Sequence, residues 1–176
     1  MSFDAQNLKN SEVDFGVSLL QANDEAAFSF LGIQAEKLEI VRRRQEQGRA
    51  LPVWSDDDAI DKVLSDQRAT REELSRYTEK GIEFARSLIG KVEQELRGVL
   101  CNGNMIRKEI ESLSDNTKEI VKYVSSLIVG VLLASAPSAV AIAVTSIATT
   151  LAVIMIKRSL TQFCAVGVSV VTSPQA

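Results

Sequence analysis

The densest set of side chains that could do chemistry is Asp57, Asp58 and Asp61, in the order DDAID. On a helix, residues four apart share a face, so Asp57 and Asp61 could grip one divalent cation. The same residues suit a helix start with no metal at all. Ser55 offers a capping oxygen, and acidic side chains in a first turn are favoured by the helix dipole. Ser55 and Asp58 have the capping-box spacing, with Asp in place of the usual Glu. Histidine is absent, which removes the commonest general base, a common metal ligand and the usual pH switch. No serine therefore has a histidine to activate it. Cys101 and Cys164 are isolated, with no CxxC and no dense framework, so neither a zinc site nor a disulfide scaffold is expected. G-x-S-x-G, phosphate-loop and HExxH patterns are missing. The expectation is a chain that is not an enzyme, with no cofactor and no metal.

The DDxxD spacing resembles the magnesium-holding motif of helical prenyl-transferring enzymes. Those enzymes also need a second acidic motif and a much larger helical cavity. Neither is visible in the sequence, so the helix-start reading is preferred. A net charge of -3 argues against a general nucleic-acid binder, for which a basic footprint is expected.

The elements that would carry these residues are helices. Asn23, Asp24 and Glu25 form a helix start, and Phe28, Leu31, Ala35, Leu38 and Val41 give the core stripe of a helix that stops at Gly48. Arg42, Arg43, Arg44 and Arg49 crowd its end. Cations are favourable there, and the alternative is a patch for anionic headgroups or an acidic partner. Leu51 to Trp54 is a linker, with Trp54 tucked on the bundle. From Ile60 a 3-4 alternation runs through Val63, Gln67, Thr70, Leu74, Tyr77, Gly81, Phe84 and Leu88 and on through Val92, Leu96 and Val99; Gln67, Thr70 and Gly81 weaken it to a loose coiled-coil-like seam, with Gly81 as its bend. Asn102 and Gly103 make a sharp turn. A second stripe follows: Ile106, Ile110, Leu113, Thr117, Ile120, Val124, Leu127 and Val131. Ser114, Asp115 and Asn116 are a candidate hinge within it.

That second stripe leads into residues 123–156, which carry no charge. A straight helix of that length would be about 50 Å long against a bilayer core of roughly 30 Å. Pro137 marks a bend or break inside it. Three arrangements are open: a two-span hairpin turning at Pro137, one span with an interfacial first arm, or a kinked re-entrant pair. The flanks favour the hairpin. Lys118 and Lys122 precede the stretch, Lys157 and Arg158 follow it, and Tyr123 and Phe163 stand where interfacial aromatics belong. In the second arm Val140, Val144, Ile147, Leu151 and Ile154 form a bulky stripe, expected to face lipid. Ala139, Ala143, Thr145, Ala148, Thr149 and Ala152 form the small face, expected to pack on another helix.

The fold expected is all-α: a long antiparallel helical hairpin or bundle continuing into a C-terminal hydrophobic, transmembrane helical hairpin. Residues 1–22 would be loosely ordered, although Val13 to Leu20 is apolar and fits helix or strand. Residues 23–116 would form a cytosolic amphipathic bundle and 117–158 a membrane hairpin. Residues 159–176 would be an uncharged tail with a strand-like alternation at Val166, Val168 and Val170. The opening residues lack a basic region and an apolar core, so they do not read as a signal peptide. The chain is expected at a membrane, with its N-terminal region cytoplasmic. Amphipathic helices followed by an uncharged hairpin rich in small residues resemble, in organisation only and over residues 56–156 at most, the pore-forming colicins and cytolysin-type toxins. No sequence motif carries that likeness and no residue role is transferred from it. The functional expectation is a membrane-inserting helical protein, a membrane-perturbing or pore-forming effector whose polar helices regulate the hairpin. Its partners would be the lipid bilayer and further copies of the chain, or a protein partner bound through the bundle, and no nucleic acid. One alternative is a membrane-anchored adaptor that uses the hairpin as anchor only. The other is a soluble helical bundle with the hairpin buried.

Overall fold

The computed structural model describes residues 10–22, 24–49, 71–101, 117–135, 144–158 and 160–166. Several expected features lie outside these residues. They are the Asn23 and Ser55 caps, Trp54, the Asp57/Asp58/Asp61 cluster, the Asn102-Gly103 turn, the Ser114–Asn116 hinge, and Pro137, Ala139, Val140, Ala143, Val168 and Val170. Among the described residues the ordered elements are all helices: α1 (Asn10–Gln21), α2 (Asp24–Glu46), α3 (Arg71–Leu100), α4 (Thr117–Ser135), α5 (Val144–Arg158) and α6 (Leu160–Val166).

α1 forms within the segment expected to be loosely ordered. The apolar patch around Gly16 resolves as helix because that spacing puts Val13, Phe15 and Leu19 into the interior. α2 ends as its sequence dictates. Gly48 takes a positive φ of 65°, Arg49 N–H donates to Arg44 C=O at 2.9 Å, and Gly48 N–H donates to Gln45 C=O at 3.1 Å. That paired closure satisfies carbonyls that the helix end leaves open.

The α2 stripe Phe28, Leu31, Ala35, Leu38 and Val41 is buried. It is one face of two. Phe30 and Ile33 are buried as well, where Phe15 and Leu19 of α1 pack on them. There the Phe15 and Phe30 rings meet at 4.7 Å between centroids, tilted by 59°, an edge-to-face type of contact.

α2 and α3 touch backbone to backbone. A Cβ on Gly32 would lie 2.0 Å from the Tyr77 carbonyl oxygen, and one on Gly81 would lie 1.8 Å from the Phe28 carbonyl oxygen. The two missing side chains let the axes approach this closely. Ser29 and Thr78 then share a hydrogen bond of 2.9 Å across the crossing, and Lys80 reaches Glu39 at 3.0 Å. Gly81 is therefore a contact point and not the bend expected there. The helix departs from regular geometry at Val92 instead (φ -118°, ψ 15°), two residues after Gly90, whose missing side chain would point into open space. Below the crossing, Ala85, Leu88, Ile89, Val92, Leu96 and Leu100 of α3 face α4, α5 and α6 in one continuous core.

The crossing predicts opposite effects for two glycines of one helix. Gly81→Ala forces the axes apart and should cost about 3 kcal/mol. Gly90→Ala meets nothing and removes backbone freedom from the unfolded chain, so it should add roughly 0.5–1 kcal/mol. Urea unfolding of both variants checks the signs.

Candidate functional site

Described parts of the uncharged stretch form the centre of the bundle. Every residue of α5 from Ser146 to Met155 is buried. α4 lies along it, with Val121, Val124, Ile128, Val129, Val131 and Leu132 inside. α1, α2 and α6 also pack on α5. A helix apolar on all sides must be enclosed on all sides, by protein or by lipid; here protein encloses it. The expected division of α5 into a lipid side and a helix side does not hold in this structure. The bulky Ile147, Leu151 and Ile154 and the small Ala148, Thr149 and Ala152 are all covered. Among the described residues no helix is long and apolar enough to cross a membrane. The exposed large apolar side chain is Leu133, at 52%, near the end of α4.

α1 is the element laid directly over the two arms. A Cβ on Gly16 would lie 2.7 Å from Thr149 Cγ2 and 2.8 Å from Val121 Cγ1, so the glycine seats α1 against both arms at once. Polar contacts then fasten its length. Thr145 of α5 donates to Glu12 at 2.7 Å, and Lys118 of α4 pairs with Asp14 at 2.9 Å. Lys157, at the far end of α5, donates to the carbonyl oxygen of Ala22 just beyond α1. Lys118 and Asp14 keep much of their solvent exposure, so that pair contributes about 0–1 kcal/mol and sets position more than stability, whereas the contacts of Glu12 and Lys157 are part-buried.

The flanking residues expected at a membrane surface all make contacts inside the protein. Lys118 and Lys157 hold α1. Arg158 sits over the Phe28 ring at 5.9 Å. Tyr123 packs against the main core, Lys122 is half-buried and its carbonyl accepts from Ser126 at 2.7 Å, and Phe163 is fully buried. The tail expected to alternate like a strand opens as the short helix α6, because Phe163 must reach the core. Arg42, Arg43, Arg44 and Arg49 remain on the surface, with Arg42 4.0 Å from Glu46 one turn on.

Cys101 and Cys164 form a disulfide with Cα atoms 5.5 Å apart. This corrects the reading of the two cysteines as unrelated. Their separation of 63 residues carried no framework signal, and only the return of the chain after α5 brings them together. Beside the bond, Arg97 Nη2 donates to the Cys164 carbonyl at 2.6 Å. Closing a loop of this length limits the unfolded chain by on the order of 4 kcal/mol. The other contributors absent from the sequence reading are Gly16, Gly32, Glu12 and Asp14. Only Gly16 carried a local signal, as a glycine inside an apolar helical run, which marks close backbone approach or a break.

The interior is not wholly apolar. Thr150 returns its hydroxyl to Ser146 C=O at 2.7 Å. Ser125 Oγ, Thr149 Oγ1 and Gln34 Nε2 are buried without a hydrogen-bond partner, an arrangement that costs roughly 1–3 kcal/mol per group. No protein-family model, curated protein or solved structure matches the chain.

Thr149→Val replaces the unpartnered hydroxyl with a methyl group of the same shape. It should raise stability by about 1 kcal/mol, read as a higher urea midpoint with an unchanged slope.

Proposed function

We propose that this chain is a conditionally membrane-inserting helical protein, with the hairpin of α4 and α5 held in store and α1, α2 and α3 as its sheath. The observation that carries this reading is the charge-free part of α5 from Ser146 to Met155, buried around its whole circumference in a chain of only 176 residues. Moving Ile147, Leu151, Val153, Ile154 and Met155 from the core into water costs about 1.5–3 kcal/mol each. Together that is comparable to the entire stability of a typical domain, about 5–15 kcal/mol. The hairpin therefore cannot simply open in water. Transfer into hydrocarbon avoids this cost, and what remains is the loss of the sheath contacts, which along α1 are the packing of Val13, Phe15 and Leu19 and the noncovalent polar contacts of Glu12 and Asp14. The helices expected to regulate the hairpin would do so by covering it. Once released, Thr145, Ala148, Thr149 and Ala152 would be free to pack against another copy of the hairpin, as small and hydroxyl residues do between membrane helices.

A second reading has its own support. Because the interior faces of α4 and the Ser146–Met155 segment of α5 are enclosed and no described helix meets the length and apolarity of a span, the hairpin can equally be the permanent core of a helical interaction module. Exposed Arg42, Arg43, Arg44 and Arg49 would then offer an acidic partner its docking face.

Gly16→Leu separates the two. The larger side chain cannot fit between Thr149 and Val121 and should lift α1 at a cost of about 1–3 kcal/mol. Under the membrane reading, the variant should bind anionic phosphatidylglycerol vesicles and release trapped dye at lower protein concentration than the parent. If the variant is destabilised but neither protein floats with vesicles or releases dye, the permanent-core reading stands.

A further inference from the structure

The contacts that hold the hairpin differ in kind on its two sides. Those from α1 are noncovalent: Glu12 to Thr145, Asp14 to Lys118, and the Ala22 carbonyl to Lys157. On the α3 side the apolar packing of Leu88, Ile89, Val92 and Leu96 is joined by a covalent tie, the Cys101–Cys164 bond. Cys101 follows the last turn of α3, where its N–H donates to Arg97 C=O at 2.8 Å. Cys164 lies in α6, one residue beyond fully buried Phe163. The bond and the Arg97 hydrogen bond to the Cys164 carbonyl fasten α6 to α3 at one point. The covalent ring so closed contains the whole of α4 and α5. The C-terminal end of α5 lies six residues before Cys164, roughly 9 Å along a helix. While the bond stands, that end cannot leave α3, whatever happens to α1. Both cysteines are half-buried at the margin of the core and not sealed within it, so an incoming thiolate has a route to the bond.

We propose that the Cys101–Cys164 disulfide is a redox latch on the stored hairpin, an inference that rests on the conditional-insertion reading above. Its reductant is a dithiol, of a small molecule or of a redox protein. One thiolate attacks a sulfur of the bond to give a mixed disulfide. The second thiol of the reductant then displaces the other cysteine. Two electrons and two protons pass to the chain, leaving two free thiols on it and one disulfide on the reductant. Reduction leaves Arg97 and the packing of Phe163 as the ties between α6 and α3. An oxidising compartment keeps the latch closed, and arrival in a dithiol-rich one frees the C-terminal arm.

Hydrogen exchange of the full chain with and without dithiothreitol tests this, with far-UV circular dichroism and dye-loaded phosphatidylglycerol vesicles in parallel. Reduction should speed amide exchange in α5 and α6 at least tenfold, leave helicity unchanged, and increase dye release. The Cys101→Ser/Cys164→Ser variant should behave as the reduced chain under both conditions. Faster exchange with no vesicle binding keeps the latch and removes the membrane reading. Unchanged exchange on reduction overturns the latch, and so does loss of helicity throughout the chain, which would make the bond a plain staple. Uptake of N-ethylmaleimide before any reductant is added also overturns it.

Discussion

A helical segment without a charge on any side has to be surrounded completely, and the rest of the structure follows from meeting that demand for Ser146 to Met155 of α5. Amphipathic helices cover each other with one face apiece. α5 needs neighbours all round it, so α4, α1, α2 and α6 all pack on it, with α1 alongside it from Thr145 to Lys157. The sheath helices adapt to this role. α2 is buried on two faces because it separates α1 from α3, and the second face, Phe30 and Ile33, is what α1 rests on.

Close approach is obtained by omission of side chains. Gly16, Gly32 and Gly81 each occupy a place where a Cβ would collide with a neighbouring helix. The two kinds of contact have different consequences. At Gly32 and Gly81 the obstacle is backbone, so α2 and α3 form an unyielding pair. At Gly16 the obstacle is the tips of Thr149 and Val121, so α1 sits in a groove made of side chains. The polar contacts of α1 are noncovalent, exposed at Asp14 and part-buried at Glu12 and Ala22, whereas the opposite side adds a covalent tie. The bundle therefore has a firm half, α2 with α3, and a half attached through side chains alone. A device that opens under defined conditions needs that asymmetry, since uniform packing would unfold all at once or not at all.

Buried hydroxyls add a second peculiarity. Ser125 and Thr149 lie inside the hairpin without partners. A core selected for stability alone would replace them by apolar residues of the same shape. Between helices in a bilayer, the same side chains allow close contact and shared hydrogen bonds. Their retention in the core agrees with a segment that serves two surroundings.

Local signals in the sequence determined the helices as elements. The cap at Gly48 closes α2 where the glycine stands, because only a residue free to take positive φ completes that turn. The stripes of α2 and α3 are buried because spacing of 3 and 4 collects apolar side chains on one face whatever the partner is. The absence of charge in residues 123–156 likewise required enclosure before any coordinates existed. What enclosed them could not be read, since lipid and a ring of protein helices satisfy an apolar circumference equally well; that depends on whether distant helices return to cover it. Only the tertiary structure decided that Lys118, Lys157, Arg158 and Phe163 are internal fasteners, that Gly81 is a crossing and not a bend, and that Cys101 meets Cys164. Each is a relation between parts far apart along the chain, and periodicity and spacing report only on neighbours a few turns away.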